Sequence, residues 1–178
     1  MAVPRAGTLD PEERGRLDTL IKSALDELEL SYERVEEGAF LVKLEGEHKL
    51  ATMTWLVVQD FSLLVEAFFM RKPEDDPAAV HAWLLSRNAH MYGVSFSIDQ
   101  LGDVYIVGRL PLSAVEPDEI DRLLGCVLRY SDDGFDTAVA LGYESSIRRE
   151  WAWRVKRGES TANLQAFARF ASDEPPQA

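Results

Sequence analysis

Metal, nucleophile and phosphate chemistry each demand a spacing of residues, and the groups that could supply them are scattered along this chain. His48, His81 and His90 fall in a turn, on a helix and just past its end, without an HExxH or CxxC pattern. They read as surface or capping histidines, and no metal ion is expected. Gly93, Gly102, Gly108 and Gly125 form neither GxGxxG nor GxxxxGK, so no loop is built to cradle a pyrophosphate. The single cysteine, Cys126, lies among Leu123, Leu124 and Val127 and is expected to be a buried, inert thiol. There is no GxSxG elbow, although a dispersed serine triad would leave no such mark. Asp132, Asp133 and Asp136 stop short of the six spaced ligands of an EF-hand and read as acidic capping around a helix start. Asp99 and Asp103 read as turn residues. No catalytic residue and no cofactor is assigned.

The unusual cluster is Ile147-Arg148-Arg149-Glu150-Trp151-Ala152-Trp153-Arg154-Val155-Lys156-Arg157. Two tryptophans two positions apart cannot share a helical face. Trp151 falls on one stripe with Ile147 and Val155 and is expected to point inward. Trp153 falls with Arg149 and Arg157, a stripe suited to solvent or to an acidic partner. Aromatic and arginine side chains anchor interfaces, so Arg148, Arg149, Trp153 and Arg154 are the candidate partner-binding residues, with an acidic protein or peptide as the partner. The competing reading packs both indoles on their own protomer.

The elements that would carry these residues follow from hydrophobic periodicity. Asp10-Pro11-Glu12-Glu13 is a helix start, and Leu17, Leu20, Ile21, Ala24, Leu25 and Leu28 mark its apolar face. Tyr32 to Val35 predicts a short strand, and Phe40 to Leu44, Leu50 to Val58 and Leu63 to Met70 predict three more. The last two are apolar on both faces and need two covers. Asp76-Pro77 opens a second helix, to about Asn88. Val94 to Ile98 and Val104 to Arg109 form a hairpin around Gln100 to Asp103, and Pro111 ends the sheet. Glu116-Pro117 starts a third helix, which Asp132-Asp133-Gly134 is expected to kink or interrupt. Further helical stretches run from Phe135 to Gly142, from Ser145 to Arg157 with Gly158 as a stop, and from Ala162 to Phe170. Gln59 to Ser62 and Gln100 to Asp103 look like hairpin returns, so the fold class is α+β with a mainly antiparallel sheet packed against helices.

At 178 residues and 46% hydrophobic, the chain has material for one sizeable core. A single α+β domain over 10–170, with a C-terminal helical extension at about 139–170 and flexible termini at 1–9 and 171–178, is the expectation. The net charge of −12 disfavours nucleic acid and anionic membranes as partners. It is unevenly spread: residues 1–138 hold 13 basic and 26 acidic side chains, whereas 139–170 hold six and three. The extension is therefore a basic end on an acidic body. The lone cysteine and the absence of a signal-peptide pattern or a long apolar run suggest a cytoplasmic protein.

A family resemblance rests on Gly46-Glu47-His48-Lys49-Leu50, Val65-Glu66-Ala67-Phe68-Phe69-Met70-Arg71-Lys72-Pro73, Leu84-Leu85-Ser86-Arg87-Asn88, Tyr92-Gly93-Val94-Ser95-Phe96 and Leu101 to Leu112. Together these resemble the YbjN family of bacterial proteins, and Ile147 to Gly158 resembles an extension of its actinobacterial members. The resemblance implies the fold of type III secretion chaperones, which are small acidic homodimers that hold an extended segment of a client. A complete fold pattern with no reactive constellation, together with this resemblance, predicts a non-enzymatic, chaperone-like or adaptor protein, homodimeric and bound to a protein partner. A small-molecule-sensing regulatory domain and an enzyme of unrecognised type are the alternatives. A homodimer would also supply the second cover that the two central strands require.

Overall fold

Local signals set the helix starts. Asp10 accepts the amides of Glu12 and Glu13, and Pro11 occupies the first position of α1 (Pro11–Glu27), where its missing N–H costs nothing. Asp76 caps Ala79 in the same way at the head of α2 (Pro77–Asn88). The computed structural model describes residues 9–170, so the termini expected to be flexible lie outside the described residues except for Leu9.

Between and after these helices run β1 (Ser31–Glu36), β2 (Ala39–Leu44), β3 (Thr52–Val58), β4 (Ser62–Met70), β5 (Val94–Ile98) and β6 (Val104–Pro111). They form one antiparallel sheet in the order β1-β2-β3-β4-β6-β5. Both predicted hairpins are present. The strand expected from Leu50 begins at Thr52, because residues 45–50 form a turn and Leu50 stands 85% exposed.

Strand side chains alternate between faces, which gives the sheet two distinct surfaces. On one, Phe40, Val42, Leu56, Val65 and Ile106 meet Leu17, Ile21 and Leu25 of α1, Val80 and Leu84 of α2, and the third helix, in one continuous core. Each fully buried Leu or Ile contributes about 1.5–3 kcal/mol. On the other, Ala39, Trp55, Val57 and Leu64 cluster with Leu41 and Val107, and every member of this cluster belongs to a strand.

The third helix, α3, runs unbroken from Pro117 to Arg157, 41 residues and about 60 Å. The expected interruption at Asp132-Asp133-Gly134 does not occur, for two reasons. Gly134 is buried where a Cβ would lie 3.0 Å from the Trp83 ring, so the missing side chain lets the helix approach α2. The Asp132 carboxylate is engaged by amides outside the helix and so does not compete for its backbone. Farther on, the Gly142 carbonyl accepts the amides of Glu74 and Asp75 at 2.9 and 2.8 Å, and the Asp75 carboxylate takes both the amide and the hydroxyl of Ser145. These bonds tie α3 to the β4–α2 connection. Gly158, at φ 69°, ends the helix as expected. Ala162–Phe170 follows as 3₁₀ turns rather than α-helix, with a break at Phe167.

Candidate partner-binding site

The C-terminal turns of α3 divide the four candidate residues between two sides of the helix. Arg149 and Trp153, four apart, line one shallow recess with Ser146 and Glu150. Trp153 is 46% exposed, and the Arg157 guanidinium lies 4.7 Å from its ring centre. Arg148 faces elsewhere, in a recess shared with Asp75, Ala79 and Glu144, and donates to Glu144 at 2.9 Å. Arg154 donates to Glu150 at 2.6 Å and to the Ser160 carbonyl at 3.0 Å. Much of the basic charge of this segment is thus met by glutamates four residues earlier, in exposed pairs worth only about 0.3–0.5 kcal/mol. Arg149 is exposed and donates to the Ser145 and Ser146 hydroxyls.

The inward role expected of Trp151 needs correction. Ile147 is buried, Trp151 is half-buried and Val155 is 62% exposed. Exposure rises along the stripe toward the end of α3, so the three residues do not form a core layer. Asp132 needs correction too. It caps no helix start: from the middle of α3 it accepts the amides of Glu47, His48 and Lys49 and folds the 45–50 turn against the helix. Burial alone would push its carboxyl up, but the three amides outweigh that and hold it below the usual carboxylate range. His48 pairs with Asp136 at 3.1 Å. Asp99 accepts the amides of Leu101 and Asp103, as a turn residue does. Cys126 is only partly buried, packed at the edge of the core.

A second surface lies on the strand-only face of the sheet. Leu41, Met53, Trp55, Phe68 and Tyr105 line a groove of about 460 Å³, with Arg71 and Asp103 at its end. The indole N–H of Trp55 is buried there without an acceptor among the described residues. Glu66 stands opposite Trp55 on one side and Val107 on the other. Burial on this apolar face pushes its carboxyl up, and Arg109 draws it part of the way back. The apolar residues on both faces of β3 and β4 foretold this surface.

A third feature was not singled out as a site by the sequence. The 45–50 turn directs the Lys49 ammonium under the end of β4, where it donates to the carbonyls of Phe68 and Phe69 at 2.6 and 3.0 Å. The rings of Phe68, Phe69 and Phe135 lie 5.5–5.8 Å away. Burial lowers the lysine to about 8. Above it opens a cavity of about 660 Å³ whose walls include Met70, Val139, Tyr143 and Phe167.

Residues 18–139 match the family model described as "YbjN: Putative bacterial sensory transduction regulator", which spans both faces of the sheet and the first half of α3. The chain belongs to the YbjN family. It is 46% identical over 154 residues to uncharacterized proteins of Mycobacterium tuberculosis and Mycobacterium bovis, with 84% of each chain covered. An uncharacterized protein of Mycobacterium leprae is 44% identical over 161 residues, with 88% of each covered. Among solved structures, a chain of the HopA1-SchA chaperone-effector complex superposes with a TM-score of 0.52 at 15% identity, covering 71% of this YbjN chain and 97% of its own. A chain of the ExoU-SpcU complex from the type III secretion system of Pseudomonas aeruginosa gives 0.48 at 15%, covering 62% and 91%. The α+β architecture of this YbjN protein, an antiparallel sheet packed with helices, is thus shared with a chain of the HopA1-SchA chaperone-effector complex. Among the described residues no helix is long and apolar enough to cross a membrane.

Proposed function

We propose that this YbjN protein is a non-enzymatic, chaperone-like adaptor that binds an acidic segment of a protein partner through the end of α3. The observation that carries this reading is Trp153, a large aromatic left 46% exposed between Arg149 and Arg157. An exposed indole flanked by guanidinium groups has the composition of an interface anchor, and carboxylates of a partner would compete for arginines now held by weak intrahelical pairs. The fold-level likeness to a chain from a chaperone-effector complex supports the same reading. In it, residues 10–170 act as one domain in the cytoplasm, and the extension beyond 139 is the contact element.

The same proposal makes the protein a homodimer. The helices join the core on one face, and the other carries Leu41, Met53 and Trp55 in an apolar groove. A second copy laid on that groove supplies the missing cover. Sedimentation equilibrium of the full chain at micromolar concentration should give twice the 20.0 kDa chain mass. Affinity capture from the source cells, with identification by mass spectrometry, tests the adaptor role. A defined protein should be retained by the wild type and lost with Trp153→Ala. Retention of the same proteins by both would remove the segment from partner recognition.

A further inference from the structure

We propose that the cavity over Lys49 is a binding site for a small carboxylic acid with an apolar body, such as a medium-chain fatty acid or an arylalkanoic acid. This assignment does not rest on the adaptor reading, since the cavity shares none of Arg148, Arg149, Trp153 and Arg154.

Three observations converge on that ligand. The first is an ammonium without a counter-ion. Lys49 donates only to two backbone carbonyls among the described residues, and the aromatic rings around it supply attraction but no charge. Desolvating a cation without pairing it is costly, and the ordinary remedy in a protein is an adjacent carboxylate. The second is the state of the two carboxylates lining the cavity. Asp103 accepts the Lys72 amide at 2.8 Å and Glu74 accepts the Ser146 hydroxyl, so both are committed to the protein's own donors. Their charges offset those of Arg71 and Lys72 in the same lining, so the lining keeps a net charge of +1 with Lys49 as its unpaired cation.

The third is the shape and lining. A volume near 660 Å³ falls in the range of small-molecule pockets, which are mostly apolar with a few placed polar groups. Phe68, Phe69, Phe135 and Val139 provide apolar wall, and Lys49 is the polar group at its base. A ligand carboxylate would supply the missing charge while its body displaces water from the rings. Tyr143 is already engaged, donating its hydroxyl to the Lys72 carbonyl, and so frames the entrance without competing for the acid.

Proton linkage tests this directly. At pH 8 the Lys49 ammonium, lowered to about 8, is about half ionised, and a bound carboxylate would favour the charged form. Titration calorimetry of the full chain with sodium octanoate at pH 8, repeated in HEPES and Tris, should show net proton uptake on binding. 1-Octanol should bind at least tenfold more weakly and without proton uptake. Lys49→Met should weaken octanoate at least tenfold and leave 1-octanol unchanged or tighter. Val139→Trp, which fills the cavity, should abolish both and keeps the test open if the lysine variant folds poorly. Equal affinity for octanoate and 1-octanol, binding without proton uptake, absence of binding, or octanoate binding unchanged in Val139→Trp would each overturn the assignment. So would full displacement of octanoate by an acetylated leucine-rich peptide with one glutamate at matching affinity, which would assign the cavity to a protein ligand.

Discussion

The Asp132 carboxylate, midway along α3, accepts the backbone amide of Lys49 at 2.8 Å. That bond, with those from Glu47 and His48, makes the long helix the template for a turn that no strand pairing holds. It also fixes the lysine from which the ammonium reaches the carbonyls of β4. Helix, turn and cavity are one structural unit.

Asp132→Ala should therefore cost about 1–3 kcal/mol in urea unfolding, because three amides lose a charged acceptor together. Gly46→Ala should mimic it, since a Cβ there would collide with the Asp132 carboxylate. The carboxyl is held below its ordinary value, so its contribution is complete above the unfolded pKa near 3.8 and is lost as pH falls through the lower folded value. Asp132→Asn should flatten that acid limb. An unchanged unfolding midpoint in both Asp132→Ala and Gly46→Ala would remove the template role.

Two glycines of α3 should respond in opposite directions. A Cβ at Gly125 meets nothing within 4 Å, so Gly125→Ala should stabilise the protein by about 1 kcal/mol through helix propensity. Gly134→Val should destabilise it by about 1–3 kcal/mol, since the new methyl groups meet the Trp83 ring. Thermal unfolding of the two variants reads both signs.

Lys49 imposes a pH dependence of its own. Its folded value, lowered to about 8, lies below the ordinary lysine value of 10.5, so between these the unfolded chain binds more protons and stability rises with pH. Tyr105 and Tyr143 are raised and act in the opposite sense above about pH 10, so the rise should be clearest from pH 8 to 10. Lys49→Met should remove that slope. A parallel pH profile for variant and wild type would show that the lysine does not titrate as an unpaired, partly buried group.

The tryptophans should separate by mechanism. Trp151→Ala removes a half-buried ring, so its cost should fall below the roughly 3–5 kcal/mol of a fully buried aromatic. Trp153→Ala should change the melting temperature little, because its ring is exposed and stacked on Arg157. Equal, large losses for both variants would mark the segment as packing alone.

Much of the fold was legible because its signals are local. Asp10-Pro11 and Asp76-Pro77 announce helix starts, and the alternation from Val94 to Ile98 marks a strand whose limits match the structure. The continuity of α3 was not legible at Asp132-Asp133-Gly134. There the deciding facts are long-range: the ring of Trp83 against Gly134, and the amides of residues 47–49 on Asp132. Helical spacing put Arg149 with Trp153 correctly, but it could not show that Val155 stands 62% exposed. Lys49 stood in a segment that carries the family resemblance, but nothing there showed its setting, which is made by β4 and α3, 19 and more residues away in sequence.

The adaptor reading is tested most directly by fluorescence anisotropy with labelled extended peptides, acidic or neutral but matched in apolar content, titrated with the full chain. Acidic peptides should bind selectively, and their affinity should fall as salt screens the exposed contacts. Trp153→Ala should weaken that binding at least tenfold with its melting temperature preserved. Equal binding of acidic and neutral peptides, or an affinity untouched by Trp153→Ala, would contradict the account.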